Sequence, residues 1–475
     1  MKHSYINGSW VEGQKSVPNI NPSDITDIQD TYTWGDAAMV DSAVAAAAAA
    51  APSWAATTPQ QRFDILDKIG TEILARKGEL GDLLAREEGK TKPEGIGEVG
   101  RAGQIFKFYA GEALRITGDL VASVRPNVRV EVERQPLGVI GMITPWNFPI
   151  AIPAWKIAPA LCYGNTVILK PAELSPGCAH ALAEIIHNSG LPHGVFNMVL
   201  GDGPTVGEAL VKNPKVAGIS FTGSIGTGSR IAGICVARGA KLQLEMGGKN
   251  PMVVLDDADL DTAVATSING AFFSTGQRCT ASSRLIVTEG IHDRFVAALK
   301  EAMAKLVVGD ARAAGTHIGP AVDQMQLEKN LRYVEKGVKE GGTLTGGERL
   351  QLAKNGYYMA PALFTETTNH MTINREEVFG PVATVIRVKD YEEALAVAND
   401  TPFGLSSGIC TTSLKYANHF RQHAQAGMVM VNLPTAGVDY HVPFGGTKGS
   451  SYGSREQGSY AAEFYTVVKT TYLAS

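Results

Sequence analysis

Val139-Ile140-Gly141-Met142-Ile143 is a short apolar run without polar alternation. Similar runs follow it, separated by segments with helical periodicity, at 166–169, 196–200 and 218–221. Short buried strands that alternate with helices are typical of a parallel sheet covered by helices on both faces. The stretch 138–246 therefore predicts a series of βαβ units. Ligands of such sheets bind at the carboxyl ends of the strands, so the turns that follow these runs are candidate sites.

The same pattern of apolar runs and helical segments restarts after residue 250. It predicts a second α/β domain from about 248 to about 447. Before the first run, residues 128–133 alternate apolar and charged side chains, which predicts a half-exposed strand. The tail at 464–473 is rich in β-branched residues and predicts a last strand.

The amino-terminal segment is predicted to be helical. Thr58-Pro59-Gln60-Gln61 has the form of a capping box with proline at the first helical position. The run from Ala45 to Ala51 indicates a tightly packed helix face that ends at Pro52.

Composition excludes several classes of protein. The length of 475 residues predicts more than one domain, and the net charge of −4 gives no electrostatic reason to expect nucleic acid as a partner. No apolar run reaches the roughly 18 residues of a membrane helix, and the start has no signal-peptide core. Five cysteines and ten scattered histidines fit neither a disulfide framework nor a metal site. We expect a cytoplasmic protein that binds no membrane and no metal.

Cys279 is the strongest candidate for chemistry. It follows a glycine-containing turn in Gln277-Arg278-Cys279-Thr280, and its neighbours are polar and cationic. Glu245 lies upstream beside Gly247 and Gly248, so the pair suggests a nucleophile and a general base. The alternative is that Cys279 is a small buried hydrophobe. The other cysteines fit that alternative, because each has small or apolar neighbours: Cys162, Cys178, Cys235 and Cys410.

The turns after the predicted strands carry polar groups. Asn147 lies between two prolines, and its amide is a neutral donor suited to an oxyanion, unless it only satisfies its own turn. Lys170 and Glu173 follow the next strand and could bind ribose hydroxyls, or form a solvated pair. Residues 221–229 combine glycines and hydroxyls at the start of a helix, which suits phosphate binding.

Seven segments occur in the order seen in the aldehyde dehydrogenase superfamily, and the resemblance covers nearly the whole chain. The segments are Thr-Pro-Trp-Asn-Phe-Pro at 144–149, Lys-Pro-Ala-Glu at 170–173, Phe-Thr-Gly-Ser at 221–224, Glu-Met-Gly-Gly at 245–248, Gly-Gln-Arg-Cys at 276–279, Glu-Val-Phe-Gly-Pro at 377–381 and Pro-Phe-Gly-Gly at 443–446.

This resemblance implies roles for individual residues. Cys279 would attack the aldehyde, Asn147 and the Cys279 N–H would hold the oxyanion, and Glu245 would activate water. The cofactor, NAD in preference to NADP, would be bound by Thr144, Trp146, Lys170, Glu173, Ser224, Glu377 and Phe379. The aldehyde would be bound by Phe148, Trp155, Arg101, Arg278, Phe444 and Arg455.

The resemblance also implies the fold class, α/β, with a Rossmann-type cofactor domain, an α/β catalytic domain and a small β oligomerisation element. The domains would be 1–113 with 137–247 for the dinucleotide, 248–447 for catalysis, and 114–136 with 448–475 for assembly into a dimer or tetramer. Glu245 favours the hydrolytic members over those that transfer the acyl group to coenzyme A. The segment 452–458 departs from the common family pattern by one serine, which affects the mouth of the substrate tunnel.

Residues 431–444, 450–452 and 455–458 resemble most closely the family members that oxidise α-ketoglutarate semialdehyde (2,5-dioxopentanoate). A succinate semialdehyde dehydrogenase and a general aldehyde dehydrogenase are the alternatives within the family. A catalytically idle protein of the lens-crystallin type and a thiol esterase are alternatives from other classes. The idle protein should lack the cysteine or the asparagine, and the esterase would not need a nucleotide-binding half.

Overall fold

The structure is a computed structural model and describes residues 1–474. Its helices are α1 Ala37–Ala55, α2 Pro59–Ala75, α3 Lys77–Glu88, α4 Lys92–Ala113, α5 Ala151–Cys162, α6 Pro176–Asn188, α7 Glu208–Lys212, α8 Ile225–Ala237, α9 Leu260–Phe272, α10 Glu289–Ala304, α11 Gln324–Lys339, α12 Thr372–Arg375, α13 Tyr391–Asn399, α14 Leu414–His423 and α15 Ala462–Tyr465.

The strands form four sheets. They are β1 Ser4–Ile6, β2 Ser9–Val11, β3 Lys15–Asn21, β4 Asp24–Trp34, β5 Asp119–Ala122, β6 Val128–Pro136, β7 Val139–Ile143, β8 Thr166–Lys170, β9 Phe196–Met198, β10 Gly218–Thr222, β11 Lys241–Glu245, β12 Asn250–Val254, β13 Ser282–Thr288, β14 Thr343–Gly346, β15 Ala362–Thr365, β16 Val382–Val388, β17 Ser406–Cys410, β18 Met428–Val431, β19 Ser451–Tyr452 and β20 Thr466–Ala474.

The first large sheet has the order β19-β11-β10-β7-β8-β9-β1-β2, and its five central strands are parallel. The predicted βαβ series is confirmed. Successive residues of β7 enter different cores, because Val139 packs in one cluster and Ile140 in another on the opposite face. This explains the run without polar alternation, since helices cover the strand on both sides.

The second large sheet has the order β14-β15-β16-β13-β12-β17-β18 and is parallel except for β14. The predicted second α/β unit is therefore present. A separate three-stranded sheet, in the order β20-β6-β5, pairs the tail with the alternating strand over nine residues, from Thr466↔Pro136 to Ala474↔Val128. The short strand β19 lies on the first sheet, although its residues fall in the range expected to assist assembly. The domain boundaries themselves remain a prediction.

The prediction of a helical amino-terminal segment is wrong for its first 34 residues. They form β1 to β4, and β1 joins the first sheet through the pair Tyr5↔Met198. Strands β1 and β2 have three residues each, too few for a periodic signal, and long-range pairing fixes them. The longer strands β3 and β4 pair with each other as a separate two-stranded sheet. The predicted capping box is confirmed, with Thr58 and Gln61 bonded to each other's backbone. The helix with the alanine run continues through Pro52 to Ala55, because a proline near the end of a helix removes only one backbone hydrogen bond.

Across residues 1–474, no helix has both the length and the apolar character that a membrane crossing requires.

Candidate active site

A strained turn places Cys279 between the two large sheets. After α9, Ser274 and Thr275 have φ values of 50° and 57°, and Gly276 has a φ of 63°. A side chain at Gly276 would lie 2.1 Å from the carbonyl oxygen of Gly380, so only glycine fits there. Non-glycine residues in this region of φ are uncommon and often lie at functional sites. The turn ends at Cys279, whose carbonyl accepts a 2.8 Å hydrogen bond from Asn250 Nδ2.

Cys279 is half-buried and lines two cavities. The larger cavity, of about 490 Å³, has apolar walls that include Phe148, Trp155 and Phe444. Charged residues of both signs also line it: Lys90, Arg101, Arg278, Glu94 and Glu98. The smaller cavity, of about 180 Å³, is lined by residues that include Trp146, Asn147, Ser224, Glu377 and Phe379. One thiol thus faces two separate binding spaces, as a reaction between two bound molecules requires.

Asn147 approaches the nucleophile from β7. Its side chain is 3% exposed, and its Nδ2 donates a 3.0 Å hydrogen bond to the carbonyl of Gln277, two residues before Cys279. The carbonyl of Asn147 accepts a 2.6 Å hydrogen bond from the ammonium group of Lys90. The amide is therefore held beside the turn that carries Cys279, and its role as an oxyanion donor stays a prediction.

Glu245 is the last residue of β11 and is buried. Its Oε2 accepts a 2.6 Å hydrogen bond from the Ser451 hydroxyl. Burial raises the pKa of Glu245 well above its usual range, and the nearby carboxylate of Glu456 raises it further. Glu456 itself is paired with the buried ammonium group of Lys156. Glu245 therefore holds its proton more tightly than an exposed carboxyl group.

The thiol of Cys279 is also held in its neutral form. Burial raises its pKa to about 12, and the carboxylates of Glu377 and Glu245 add to the effect. The backbone N–H groups of Cys279 and Thr280 act in the opposite direction. These N–H groups lie close enough to influence the sulfur, so they are available to an oxygen that develops charge beside it.

The smaller cavity fits the nicotinamide half of a dinucleotide. Ser224 caps the amino terminus of α8, a helix of 13 residues, and lines this cavity. Glu377 lies against Gly247, where a side chain would meet its Oε2 at 2.4 Å, and its Oε1 accepts a 2.9 Å hydrogen bond from the Gly248 N–H. A helix amino terminus suits a pyrophosphate and a carboxylate suits ribose hydroxyls.

Four other predicted cofactor residues lie at or just after the carboxyl ends of the neighbouring strands β7 and β8: Thr144, Trp146, Lys170 and Glu173. Phe379 instead precedes β16 of the second sheet. Trp146 meets Phe379 edge to face, with ring centroids 5.5 Å apart. The Thr144 N–H donates to the Lys170 carbonyl at 3.2 Å. Lys170 and Glu173 form an ion pair of 2.7 Å, and Glu173 is one-third exposed. Thr144, Lys170 and Glu173 line neither cavity, so only a ligand that extends along the sheet edge would reach them.

The three predicted substrate arginines have different environments. Arg278 donates from Nε to the Phe273 carbonyl at 2.9 Å and from Nη2 to the Asn269 carbonyl at 2.8 Å, so it closes the end of α9. Arg455 donates to the Gly446 carbonyl and does not line the larger cavity. Arg101 lines this cavity and donates one hydrogen bond, from Nη2 to Gln457 Oε1 at 3.0 Å.

Two buried ionic groups around the site were not predicted. Lys90 bonds Glu98 at 2.7 Å and lies 3.7 Å from the Phe148 ring centroid. Glu98 in turn accepts hydrogen bonds from the Ile150 and Ala151 N–H groups, which fixes the start of α5. The Lys156–Glu456 pair is the second group. Both groups connect segments that are far apart in sequence. Only Lys156 stands out locally, as a charged residue within an otherwise apolar helix.

The pattern that defines the aldehyde dehydrogenase family matches residues 10–471 of this chain. The alpha-ketoglutaric semialdehyde dehydrogenase of Bacillus subtilis (strain 168) is 45% identical over 476 residues, which cover 99% of this chain and 97% of that protein. The 2,5-dioxopentanoate dehydrogenase of Saccharolobus solfataricus is 38% identical, and the match covers 98% of this chain and 97% of that protein.

Solved structures are also similar to this chain along its whole length. The betaine aldehyde dehydrogenase of Staphylococcus aureus in complex with NAD+ superimposes with a TM-score of 0.97 at 32% identity, covering 100% of this chain and 95% of that chain. An NADP-dependent enzyme of E. coli superimposes with a TM-score of 0.97 at 34% identity, covering 100% of this chain and 98% of that chain.

Proposed function

Because this chain belongs to the aldehyde dehydrogenase family, an NAD(P)-dependent family, we propose that it oxidises a small aldehyde bearing a carboxylate at its far end. The first candidate is 2,5-dioxopentanoate, and succinate semialdehyde is the second. One observation carries the proposal: Cys279 joins a cavity with aromatic walls and the guanidinium group of Arg101, which forms no ion pair within residues 1–474, to a cavity suited to a nicotinamide. The names of the relatives from B. subtilis and S. solfataricus support the choice of substrate.

Cys279 is proposed as the nucleophile. Its thiolate forms the S–C bond to the aldehyde carbon, and the carbonyl oxygen becomes an oxyanion. Asn147 Nδ2 and the Cys279 N–H donate to that oxygen. Because the resting thiol has a raised pKa, a base must take its proton as the bond forms, and Glu245 and Glu377 are the carboxylates that influence it most.

The nicotinamide cofactor, when bound, supplies the acceptor for the hydride that the former aldehyde carbon loses. Trp146, Glu377 and Phe379 would hold it against the Cys279 side of the smaller cavity. The carbon that remains on Cys279 is then a thioester. Glu245 takes a proton from water, the hydroxyl adds to the thioester carbon, and the S–C bond breaks to release the acid. A reducing compartment such as the cytoplasm keeps this thiol available.

We propose NAD as the preferred cofactor. Glu173 is partly exposed at the carboxyl end of β8 and can accept hydrogen bonds from a ribose 2′-hydroxyl, whereas it would repel a 2′-phosphate. Lys170 neutralises part of this charge through the 2.7 Å pair, so a preference rather than exclusion is expected.

We also propose that the protein is a homodimer or a dimer of dimers. The three-stranded sheet exposes both of its edge strands, β5 and β20. Exposed strand edges invite pairing with a second chain.

The test is NADH formation with 2,5-dioxopentanoate, succinate semialdehyde, pentanal and butanal. The proposal expects oxidation of all four and a kcat/KM for the acids at least about tenfold higher than for the neutral aldehydes. Cys279→Ala should abolish oxidation while NAD still binds, which calorimetry can measure. Substantial activity in Cys279→Ala would place the nucleophile elsewhere. An equal or lower kcat/KM for the acids would reject the semialdehyde as substrate.

A further inference from the structure

Three buried N–H groups without a hydrogen-bond partner lie together beside the larger cavity. They are Nε of Arg101, Nε1 of Trp155 and Nε2 of Gln457. The guanidinium carbon of Arg101 is 5.7 Å from the Trp155 ring, and Arg101 bonds Gln457 directly. Arg101 and Trp155 both line the cavity that contains Cys279. A buried donor without an acceptor destabilises the folded protein, so three at one place indicate a missing acceptor.

The charge at this place is positive and unpaired. Arg101 forms no ion pair with any residue in 1–474, and its one hydrogen bond goes to a neutral amide oxygen. Glu98 and Asp439 lie close enough to influence Arg101. However, Glu98 is already bonded to Lys90 and to two backbone N–H groups, and Asp439 is exposed to solvent. An anion at this place would therefore be bound by Arg101 without displacing an existing partner.

The other two arginines near the cavity have no comparable set of free donors. Arg278 uses Nε and Nη2 on two carbonyls of the same turn, and Arg455 donates to the Gly446 carbonyl. A guanidinium group has five N–H donors, and Arg101 uses one of them.

Gln457 fixes the orientation of Arg101. Its backbone has a φ of 62°, in the left-handed region, and its neighbour Glu456 pairs with Phe444 through two backbone hydrogen bonds of 2.7 and 2.9 Å. The carbonyl of Gly458 accepts a 2.9 Å hydrogen bond from the buried Tyr109 hydroxyl. The segment is thus held on both sides of Gln457, so the donors around Arg101 are ordered before any ligand arrives.

We propose that Arg101, oriented by Gln457 and assisted by the Trp155 N–H, binds the carboxylate at the far end of the substrate. This inference rests on the proposed function, and it assigns the specificity for a carboxylate-bearing aldehyde to named residues. A guanidinium group matches a carboxylate with paired, charge-assisted hydrogen bonds. A neutral aldehyde of the same length leaves the three donors unsatisfied, and sites built on buried donors discriminate strongly against such analogues.

The experiment compares succinate semialdehyde with butanal, which have the same number of carbons, in the wild type and in Arg101→Met. The ratio of their kcat/KM values is expected to fall in Arg101→Met by roughly tenfold to a hundredfold, the range for hydrogen bonds to a charged group. The value for butanal should change by less than about threefold, because methionine keeps the apolar stem of the side chain. Arg278→Lys is the matched control, and its ratio should equal that of the wild type.

The outcomes separate the two hypotheses. If the wild type does not favour the acid, both the substrate class and the role of Arg101 are wrong. If the wild type favours the acid and Arg101→Met retains the full ratio, only the role of Arg101 is overturned. A fall in the ratio in Arg278→Lys as large as in Arg101→Met would also overturn it.

A second set of measurements does not depend on the folding of Arg101→Met. Trp155→Phe removes one N–H and keeps an aromatic ring, so it should reduce kcat/KM for the acid by a few fold more than kcat/KM for butanal. Butyrate should inhibit the wild type at a concentration at least tenfold below that of butyramide, since only the former is an anion. Equal inhibition by the two compounds, together with an unchanged Trp155→Phe, would overturn the proposal.

Discussion

Asn147 Nδ2 lies 3.0 Å from the carbonyl oxygen of Gln277, and this hydrogen bond ties the turn after β7 to the turn that carries Cys279. The two turns belong to different sheets. A donor that bonds a weak backbone acceptor at rest can shift to a stronger one, such as an oxyanion on the neighbouring residue. Lys90 holds the Asn147 backbone from below through a 2.6 Å hydrogen bond, so the donor needs little reorganisation.

Asn147→Ala is expected to lower kcat with 2,5-dioxopentanoate or succinate semialdehyde by roughly 100- to 1,000-fold, the loss typical of one oxyanion donor. Binding of NAD should stay within a few fold of the wild type. Steady-state kinetics and calorimetry measure the two quantities. If kcat falls by less than about fivefold, the oxyanion is held by backbone N–H groups alone.

Glu245→Gln is expected to slow release of the acid more than formation of the thioester, because only release needs a base for water. Stopped-flow absorbance should show a burst of NADH, close to one equivalent per active site, followed by a slow steady state. Equal slowing of the burst and the steady state would assign the base to another residue.

The same variant tests how much the buried carboxyl group of Glu245 destabilises the folded protein. The pKa of Glu245 is higher in the folded protein than in the unfolded chain, where it is about 4.3. The binding of this proton therefore stabilises the folded protein fully at low pH, and that stabilisation is lost as the pH rises above about 4.3. Glutamine has no proton to lose and can still accept from Ser451. The melting temperature of Glu245→Gln should therefore exceed that of the wild type by a margin that grows from pH 5 to pH 8. A margin that shrinks over this range contradicts the raised pKa.

Much of the fold was readable from the sequence. The runs that became β7, β8 and β10 are mostly apolar, with the buried Ser220 as an exception in β10, because both faces of the sheet are covered. The catalytic candidates were found for a similar reason: glycines and prolines mark the turns at strand ends, and Asn147, Glu245 and Cys279 lie beside them. Strands β1 and β2 were missed because a strand of three residues is defined by its partner.

The buried supports of the site were also missed, for a related reason. Lys90 precedes α4 and Glu98 lies within it, in a stretch rich in charged residues, and only packing brings them next to Asn147. The sequence also ranked Arg101, Arg278 and Arg455 as equals. The three arginines differ in the number of their N–H groups that already have acceptors. Those acceptors are mostly backbone carbonyls, and their positions cannot be predicted from the sequence.

The rate of oxidation is expected to rise with pH. The pKa of Cys279 is raised to about 12 and that of Glu245 is raised above its usual range. Both groups act in their deprotonated forms, and both fractions increase as pH increases. The logarithm of kcat/KM should therefore increase from pH 6 to pH 9. A maximum near pH 7 with a fall on the alkaline side would show that a protonated group is required instead.

Glu173→Gln is expected to reduce the preference for NAD over NADP. The substitution keeps the side-chain volume and removes the charge that would repel a 2′-phosphate, while Lys170, released from its 2.7 Å pair, can attract that phosphate. The ratio of kcat/KM for NAD to that for NADP should fall by about tenfold, mainly through a lower KM for NADP. An unchanged ratio would mean that the ribose does not reach Glu173.

The three-stranded sheet is expected to hold the subunits together. Its strands expose apolar side chains, among them Leu120 at 71% and Val468 at 61%, and isolated small sheets are marginally stable in water. Light scattering at micromolar concentration should therefore give the mass of a dimer or a tetramer. Val468→Lys should shift that mass towards the monomer, because it places a charge on the exposed face of edge strand β20. Leu414→Lys is the control, since Leu414 is also exposed, at 80%, but lies on α14 and not in this sheet. A monomeric wild type, or a monomer produced by the α14 variant and not by Val468→Lys, would contradict assembly through this sheet.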